Sequence, residues 1–377
     1  MDAYAAELAR LTEANLLRRL SALEVTGPVR GRLDGRDVLL FSSNDYLGLS
    51  AHPHVRERAA AAAAEHGMGP RGSALLCGWT RFHEELAARL AAFFGAEACF
   101  LFPSGYLANL GVLQAIGRFG GTVLSGERNH ASLIDACRLS RLEVRVHRHG
   151  DLVHLEELLA SSPAPRTIAT DTVYSMDGDL APLADLARIA ERHGAQQLLD
   201  EAHAMLVLGS GGRGLGAGVG GGRVPVIRVG TLSKAFGALG GFVLGSRAFV
   251  DCVVNHARTG LFSTALPVPV VAAALAALDV VERDDTLRKR LWTNVGVAAA
   301  SFPSGLRASS PIIPVILGTE ERALAASASL LKDGLHVPAV RPPTVPPGTS
   351  RLRVTLTAAH DEADVRRLAA ALREVVA

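Results

Sequence analysis

Lysine is almost absent from this chain. Of 39 basic residues only three, at positions 234, 289 and 332, are lysine. Lys289 stands in Leu287-Arg-Lys-Arg and Lys332 in Leu331-Lys-Asp-Gly, contexts of solvated helix surface or a helix C-terminus. Lys234 alone sits among small and apolar residues. Cysteine is sparse as well: Cys77, Cys99, Cys137 and Cys252 lie far apart with no C-x-x-C pair. That excludes a zinc ribbon or disulfide framework and reads as buried thiols in a reducing cytosol. A charge excess is missing too, since a formal net charge of +2 points to neither a nucleic-acid nor a membrane-surface partner. No apolar run reaches the roughly 18 residues of a membrane span without a glycine or a charge. The segment 1–20 mixes Asp, Glu and Arg with Leu and Ala at helical spacing and lacks the apolar h-region of a signal peptide, so the expected location is cytoplasmic.

What is present suits a globular protein with a sizeable core. The chain has 377 residues, 49% of them hydrophobic and 20% charged, enough for a large domain and a smaller one. From about residue 96, short β-rich apolar runs alternate with amphipathic stretches, the pattern of an α/β fold with a mainly parallel central sheet and helices on both faces. The pattern predicts strands at 99–102, 122–124, 144–147, 167–170, 197–200, 226–229 and 242–244, with helices at 107–116, 132–139, 152–159 and 183–192. After Pro267 the texture changes to long Ala/Leu/Val helices, strands near 312–317 and 351–356, and a last helix over 361–376. The expected division is an N-terminal helical segment over 1–45, its helix ending before Gly27, a large α/β domain over 46–266 and a small C-terminal α+β domain over 267–377. The Gly-rich stretch from Gly209 to Gly222 reads as a flexible surface loop.

Two familiar motifs fail on context. Gly209-Ser-Gly-Gly-Arg-Gly214 matches the G-x-G-x-x-G of dinucleotide folds, yet the glycines that follow are too many for a crossover helix. No acidic residue lies between Gly214 and Asp251 to bind a ribose. Asp200-Glu-Ala-His203 spells a helicase box, but none of the three lysines stands in a G-K-[ST] phosphate loop.

A third constellation holds together. Gly230-Thr-Leu-Ser-Lys-Ala-Phe-Gly-Ala-Leu-Gly-Gly241 follows the strand expected at 226–229, and ligands of open α/β sheets bind beyond the carboxyl ends of strands. A lysine there, with no carboxylate nearby in sequence, can lose its proton and form an imine with an aldehyde; a surface-loop lysine is the alternative. Asp200 also ends an apolar run, where a buried carboxylate would keep a pyridine nitrogen protonated, or simply cap a helix. Ser104-Gly-Tyr106 opens the helix expected at 107–116 and can bind phosphate at a helix N-terminus, or form an ordinary turn. Thr231 and Ser233 can add hydroxyl donors, His203 can meet the same ligand or be structural, and His130 can stack on a flat ring.

In order along the chain, Ser43-Asn-Asp-Tyr-Leu-Gly-Leu, Ser104-Gly-Tyr-Leu-Ala-Asn, Asn129-His-Ala-Ser, Tyr174-Ser-Met-Asp-Gly-Asp, Asp200-Glu-Ala-His and Gly230-Thr-Leu-Ser-Lys resemble the α-oxoamine synthases. These are pyridoxal 5′-phosphate (PLP) enzymes of fold type I that condense an amino acid with an acyl thioester. The segment from Arg341 to His360 resembles the branch that joins L-alanine to a pimeloyl thioester carried by CoA or acyl carrier protein. Glycine-using siblings with short acyl-CoA substrates are the alternative. The resemblance makes 46–266 the PLP-binding domain and implies that Lys234 holds PLP and moves the α-proton. It further implies that Asp200 binds the pyridine nitrogen, His130 stacks on the ring and Ser175 and His203 reach the phenolic oxygen. Gly105, Tyr106 and Thr231 would serve the phosphate, with Ser263 or Thr264 of a partner subunit joining them in a homodimer. Arg353, supported by Asn44, would clamp the amino acid carboxylate by bidentate hydrogen bonds, the alternative being an exposed strand-end arginine. Arg18 and Thr344 would touch substrate, and no metal is implied. One departure, Gly69-Pro-Arg-Gly-Ser73 where many relatives carry a Ser-Gly-Gly type turn, leaves recognition of the far end of the thioester open.

Overall fold

The computed structural model describes residues 2–219, 222–303, 306 and 308–376. The chain forms two compact units, one of Met1–Gly48, Ser175–Gly178 and Lys289–Ala377, the other of Leu49–Tyr174 and Asp179–Arg288. This partition differs from the expected borders at 45/46 and 266/267, because the N-terminal segment and the C-terminal elements build one sheet together.

The first unit begins with α1 (Ala3–Glu13), capped by the Asp2 side chain. The helix does not run on toward Gly27 as expected: Asn15 takes a left-handed backbone at φ 54°, and three strands follow, β1 (Leu23–Gly27), β2 (Arg30–Leu33) and β3 (Arg36–Leu40). Asp34-Gly35, with φ of 49° and 76°, makes the tight β2–β3 turn. An Asp-Gly pair between apolar runs is a strong hairpin signal, so this meander was readable in the sequence.

The second unit opens with α2 (Pro53–His66) and α3 (Arg81–Phe94), the latter bounded by a Thr80/His83 capping box and a left-handed Gly95. There follow β4 (Ala98–Phe102), α4 (Gly105–Gly117), β5 (Thr122–Gly126), α5 (Ala131–Leu139), β6 (Glu143–His147), α6 (Leu152–Ala160), β7 (Arg166–Asp171), α7 (Leu183–His193), β8 (Gln196–Asp200), β9 (Val226–Thr231) and β10 (Gly241–Gly245). The sheet order is β4-β10-β9-β8-β7-β5-β6. β5 to β9 pair in parallel, while β10 runs antiparallel to both neighbours and so leaves β4 aligned with the rest. The mainly parallel sheet of the sequence reading is the fold found. Its strands read as continuous apolar runs because both faces are covered: Val112, Leu133 and Val253 pack on one, Leu155, Leu186 and Ile189 on the other. The unit closes with α8 (Arg247–His256), α9 (Arg258–Leu261) and α10 (Val268–Arg283), whose Val268 and Ala272 pack on Ala62 and Phe82. That burial holds residues 267–283 in the large unit rather than in the small one.

The first unit resumes at Lys289 within α11 (Thr286–Ser301), which leads to β11 (Ile312–Gly318), α12 (Glu320–Lys332), β12 (Leu335–His336), β13 (Ala339–Val340), β14 (Ser350–Thr355) and α13 (Glu362–Val376). β12 pairs with β3, and β11, β14 and β13 form a second sheet. His360, the last residue of the segment from Arg341, is structural: its ring stacks on Phe41 at 4.3 Å and its Nε2–H donates to the Leu40 carbonyl at 3.0 Å. Burial pushes its pKa down to about 4.

The two misleading motifs share one explanation. Glu201 forms a buried ion pair with Arg228, the side chains 0% and 7% exposed, and Arg228 also donates to the carbonyls of Phe94 and Arg213. Glu201 Oε1 accepts the Gly216 N–H at 2.7 Å. A Cβ at Gly214 would lie 2.6 Å from that carboxylate oxygen, so glycine is what lets the loop close over the pair. The stretch expected to be a flexible surface loop is therefore tied down around buried Gly212 and Gly216; its Gly220 and Gly221 lie outside the described residues. Arg228→Met strands a buried carboxylate and should cost about 3–5 kcal/mol, read from urea unfolding. The double variant Arg228→Met/Glu201→Leu should recover most of that loss, and a single variant as stable as the parent would show the pair to be idle.

Candidate active site

Parallel strands end at the same edge of a sheet, and the large unit uses that edge five times. Ser104, Gly105 and Tyr106 follow β4, His130 follows β5, Asp171 and Asp200 end β7 and β8, and Thr231, Ser233 and Lys234 end or follow β9. With His203 they line a cavity of about 230 Å³. Nine of the residues singled out from sequence thus meet in one place: Ser104, Gly105, Tyr106, His130, Asp200, His203, Thr231, Ser233 and Lys234.

Lys234 Nζ lies 3.0 Å from His203 Nε2. Asp200 accepts from Asn109 Nδ2 at 2.6 Å and from the Ala202 N–H at 2.9 Å. Asp171, the register partner of Asp200, accepts the His130 N–H at 2.6 Å. Burial, reinforced by the Asp200 charge, raises the Asp171 carboxyl well above its ordinary value. Burial lowers the pKa of His130; Asp200 pulls it up and Lys234 pushes it down again.

At the other end of the cavity Ser104 caps α4, accepting the Leu107 N–H at 3.2 Å, and the N–H groups of the first helical turn have no partner four residues back. A Cβ at Gly105 would lie 3.1 Å from Thr231 Cβ and 3.3 Å from its Oγ1, so the glycine lets the hydroxyl stand beside that helix end. Thr231 Oγ1 donates to the Gly240 carbonyl and accepts the Ser233 N–H. The Tyr106 ring meets His130 edge-on at 6.3 Å, and its hydroxyl donates to Asp135.

Of the other residues singled out from sequence, Arg18, Asn44, Ser175, Thr344 and Arg353 belong to the first unit and Ser263 and Thr264 to the large one. Arg353 on β14 is 6% exposed, so it is no exposed strand-end arginine. It donates to the Ser175 carbonyl at 2.6 Å, to Thr355 Oγ1 at 2.9 Å and, through both terminal nitrogens, to Asn44 Oδ1 at 3.2 Å. Arg18 donates to the Pro342 carbonyl at 3.1 Å and approaches Thr344 Oγ1 at 3.5 Å. The divergent turn before Ser73 belongs to the large unit, where Gly72 accepts the Ala265 N–H at 3.0 Å and Ser73 bridges to Thr264. Sequence reasoning missed Asn109, Ser132 and Asp171 as members of the site. Asn109 and Ser132 close two of the motifs compared above, and Asp171 ends a strand as Asp200 does, which was the available signal.

A family model, aminotransferase class I and II, matches residues 36–372. The chain belongs to this family. Among its relatives, the 8-amino-7-oxononanoate synthase of Anaeromyxobacter dehalogenans is 48% identical, covering 100% of this chain and 96% of that protein. The synthase of Arabidopsis thaliana is 43% identical over 89% of this chain and 74% of that protein. A serine palmitoyltransferase from S. paucimobilis, solved with PLP and myriocin bound, superposes with a TM-score of 0.91 at 30% identity, over 99% of this chain and 96% of that one. An 8-amino-7-oxononanoate synthase from Francisella tularensis gives 0.75 at 25% identity, over 90% and 97%.

PLP is the cofactor of this chain, as the sequence resemblance implied. The pocket fits it. A primary amine, a buried carboxylate and an imidazole surround a cavity smaller than the roughly 300–1,000 Å³ typical of drug-sized ligands, which suits one substituted ring and not a dinucleotide. The Gly105 cradle at the start of α4 suits its phosphate. Lys289 and Lys332 lie in the other unit, on α11 and at the end of α12. Lys234→Ala should therefore fold but trap no PLP on borohydride reduction, and its visible absorbance should vanish. Reductive labelling of either other lysine in that variant would refute the assignment.

Proposed function

We propose that the chain carries out the decarboxylative condensation of L-alanine with a pimeloyl thioester, on CoA or acyl carrier protein, to 8-amino-7-oxononanoate, carbon dioxide and free thiol, in biotin biosynthesis. The full-length match to 8-amino-7-oxononanoate synthases carries this reading. PLP, when bound, supplies an aldehyde that condenses with amines and a protonated ring that accepts the electron pair left at the amino acid α-carbon. The residues of the chain do the rest. With PLP bound, Lys234 would hold it through its amine and, once the amine of the amino acid takes its place, would move the proton of the α-carbon, with His203 orienting Nζ. The Asp200 carboxylate would keep the ring nitrogen protonated. His130 would stack on the ring, while Ser175 and His203 would hydrogen-bond the phenolic oxygen. The Gly105 and Tyr106 N–H groups and the Thr231 hydroxyl would take the phosphate. Arg353 with Asn44 grips the carboxylate of alanine, and Arg18 and Thr344 contact the acyl substrate.

The TM-score of 0.91 with a serine palmitoyltransferase favours a second reading, in which serine and a long acyl chain are the substrates. Thiol release separates the two. L-alanine with pimeloyl-CoA should turn over, whereas L-serine with palmitoyl-CoA and glycine with acetyl-CoA should not; the reverse order would refute the proposal.

The four free cysteines fit a reducing compartment, and the proposed location is the cytoplasm. Among the described residues no helix is long and apolar enough to cross a membrane. The proposed assembly is a homodimer that uses the segment around Phe262. This ring is 73% exposed beside a cavity of about 560 Å³ bordered by Arg118, Arg141 and Asn255, a surface that a second copy would cover. An active species that sediments as a monomer at assay concentration would remove this idea.

Asp200→Asn nearly conserves volume and removes the charge. It should bind PLP yet lose most of the thiol release. Were the carboxylate only a cap, Asn would serve equally well and turnover would stay near normal.

A further inference from the structure

We propose that Asn109 is a positioning residue that ties Asp200 and His130 into one rigid arrangement, holding the carboxylate in place and leaving Nε2 of His130 as the protonated ring nitrogen. The proposal rests on the reading of Asp200 and His130 as contacts of the PLP ring. It assigns work to a side chain that lies behind them.

Asn109 is 1% exposed and sits in the second turn of α4. An ionised carboxylate can only accept hydrogen bonds, so the amide nitrogen, not the oxygen, must be the atom 2.6 Å from Asp200 Oδ2. The same nitrogen lies 2.8 Å from Ser132 Oγ, and its two hydrogens are then both committed. This orientation leaves Asn109 Oδ1 buried without a hydrogen-bond partner. A side chain that only filled space would gain by being apolar; one kept polar at that cost is kept for its donors.

The arrangement continues through Ser132. Its hydroxyl accepts from Asn109 and keeps its own hydrogen free to donate to His130 Nδ1, 2.8 Å away. The backbone N–H of Ser132 also points at Nδ1, at 3.2 Å. A backbone N–H cannot accept, so Nδ1 carries the lone pair and the ring proton resides on Nε2. A second proton on Nδ1 would break the bond from the Ser132 N–H and force the Ser132 hydroxyl to turn from donor to acceptor, a cost in the same direction as the burial that lowers the pKa of His130. On its other side Asp200 is held by the Ala202 N–H. The carboxylate and the imidazole arrive from different strands, and Asn109 is the side chain that bonds to both branches.

The test compares Asn109→Leu, which keeps nearly the same volume, with Ser132→Ala, both as holoenzymes. Loss of one hydrogen bond to a charged group predicts that Asn109→Leu binds PLP about 10- to 100-fold more weakly, with a shifted pH transition of the visible band. Ser132→Ala should keep parental PLP affinity and raise the titration of His130, followed by NMR with labelled histidine. A purely structural Asn109 would move neither spectrum nor affinity, and a folded Asn109→Leu with parental values of both overturns the proposal. The NMR measurement on the parent holoenzyme needs no variant at Asn109. Protonation of His130 at Nε2 supports the proposal, and protonation at Nδ1 overturns it even if Asn109→Leu fails to fold. A parent protein that binds no PLP would overturn the cofactor reading as well, which separates the two failures.

Discussion

Residues as far apart in sequence as Gly105 and Lys234 can share a cavity of about 230 Å³ only if their strands end together. Parallel pairing enforces this. β5, β7, β8 and β9 run in register side by side, and antiparallel β10, wedged between β9 and β4, turns the edge strand to the same sense. The loops that leave those carboxyl ends need only a few residues to deliver a side chain, so each functional group stands within four residues of a strand end. A strand inserted the other way would send its loop to the opposite edge and remove one function from the pocket.

The same sheet carries the burden of buried charge. Asp200 and Glu201 are adjacent in sequence, yet successive residues at a strand end face opposite sides. One carboxylate lines the cavity with Asp171 and Lys234, while the other meets Arg228 beneath the glycine loop. That division explains why a helicase-like word and a dinucleotide-like word appear in a chain that is neither. The acidic residue answers an arginine, and the glycines make room for the pair. It also explains the polar network around Asn109 and Ser132, because a buried carboxylate keeps its charge only where donors replace the water it has lost.

Local pattern revealed most of the large unit. Its strands are short apolar runs separated by amphipathic helices, a signal set by the two side-chain periods and by burial on both faces. Reading failed where a local signal was overridden or passed over. The N-terminal helix stops at Asn15 although apolar residues continue, and the Asp34-Gly35 hairpin announced the strands that follow. The helix Val268–Arg283 opens the Ala/Leu/Val stretch expected in the small domain, but its small residues fit against α2, so packing and not composition assigned it to the large unit. Asn109 escaped because an asparagine within a helix has no spacing rule; only its neighbours in space show what its amide serves.

The sequence by itself determined the fold class and the cofactor and singled out one candidate for the reactive amine, because a single lysine in an apolar setting, an aspartate ending an apolar run and a glycine at a helix start are local features that chemistry can interpret. It could not decide which polar residues bond to which, since hydrogen bonds between strands depend on register and helix placement rather than on distance along the chain. The tertiary structure alone decided that Glu201 belongs to Arg228 and Asp200 to Asn109, that Arg353 is buried with Asn44 and Ser175, and that His130 Nδ1 accepts the Ser132 N–H. Each of these follows from geometry at the scale of a few ångströms, where directional bonds form or fail, and no linear pattern encodes that scale.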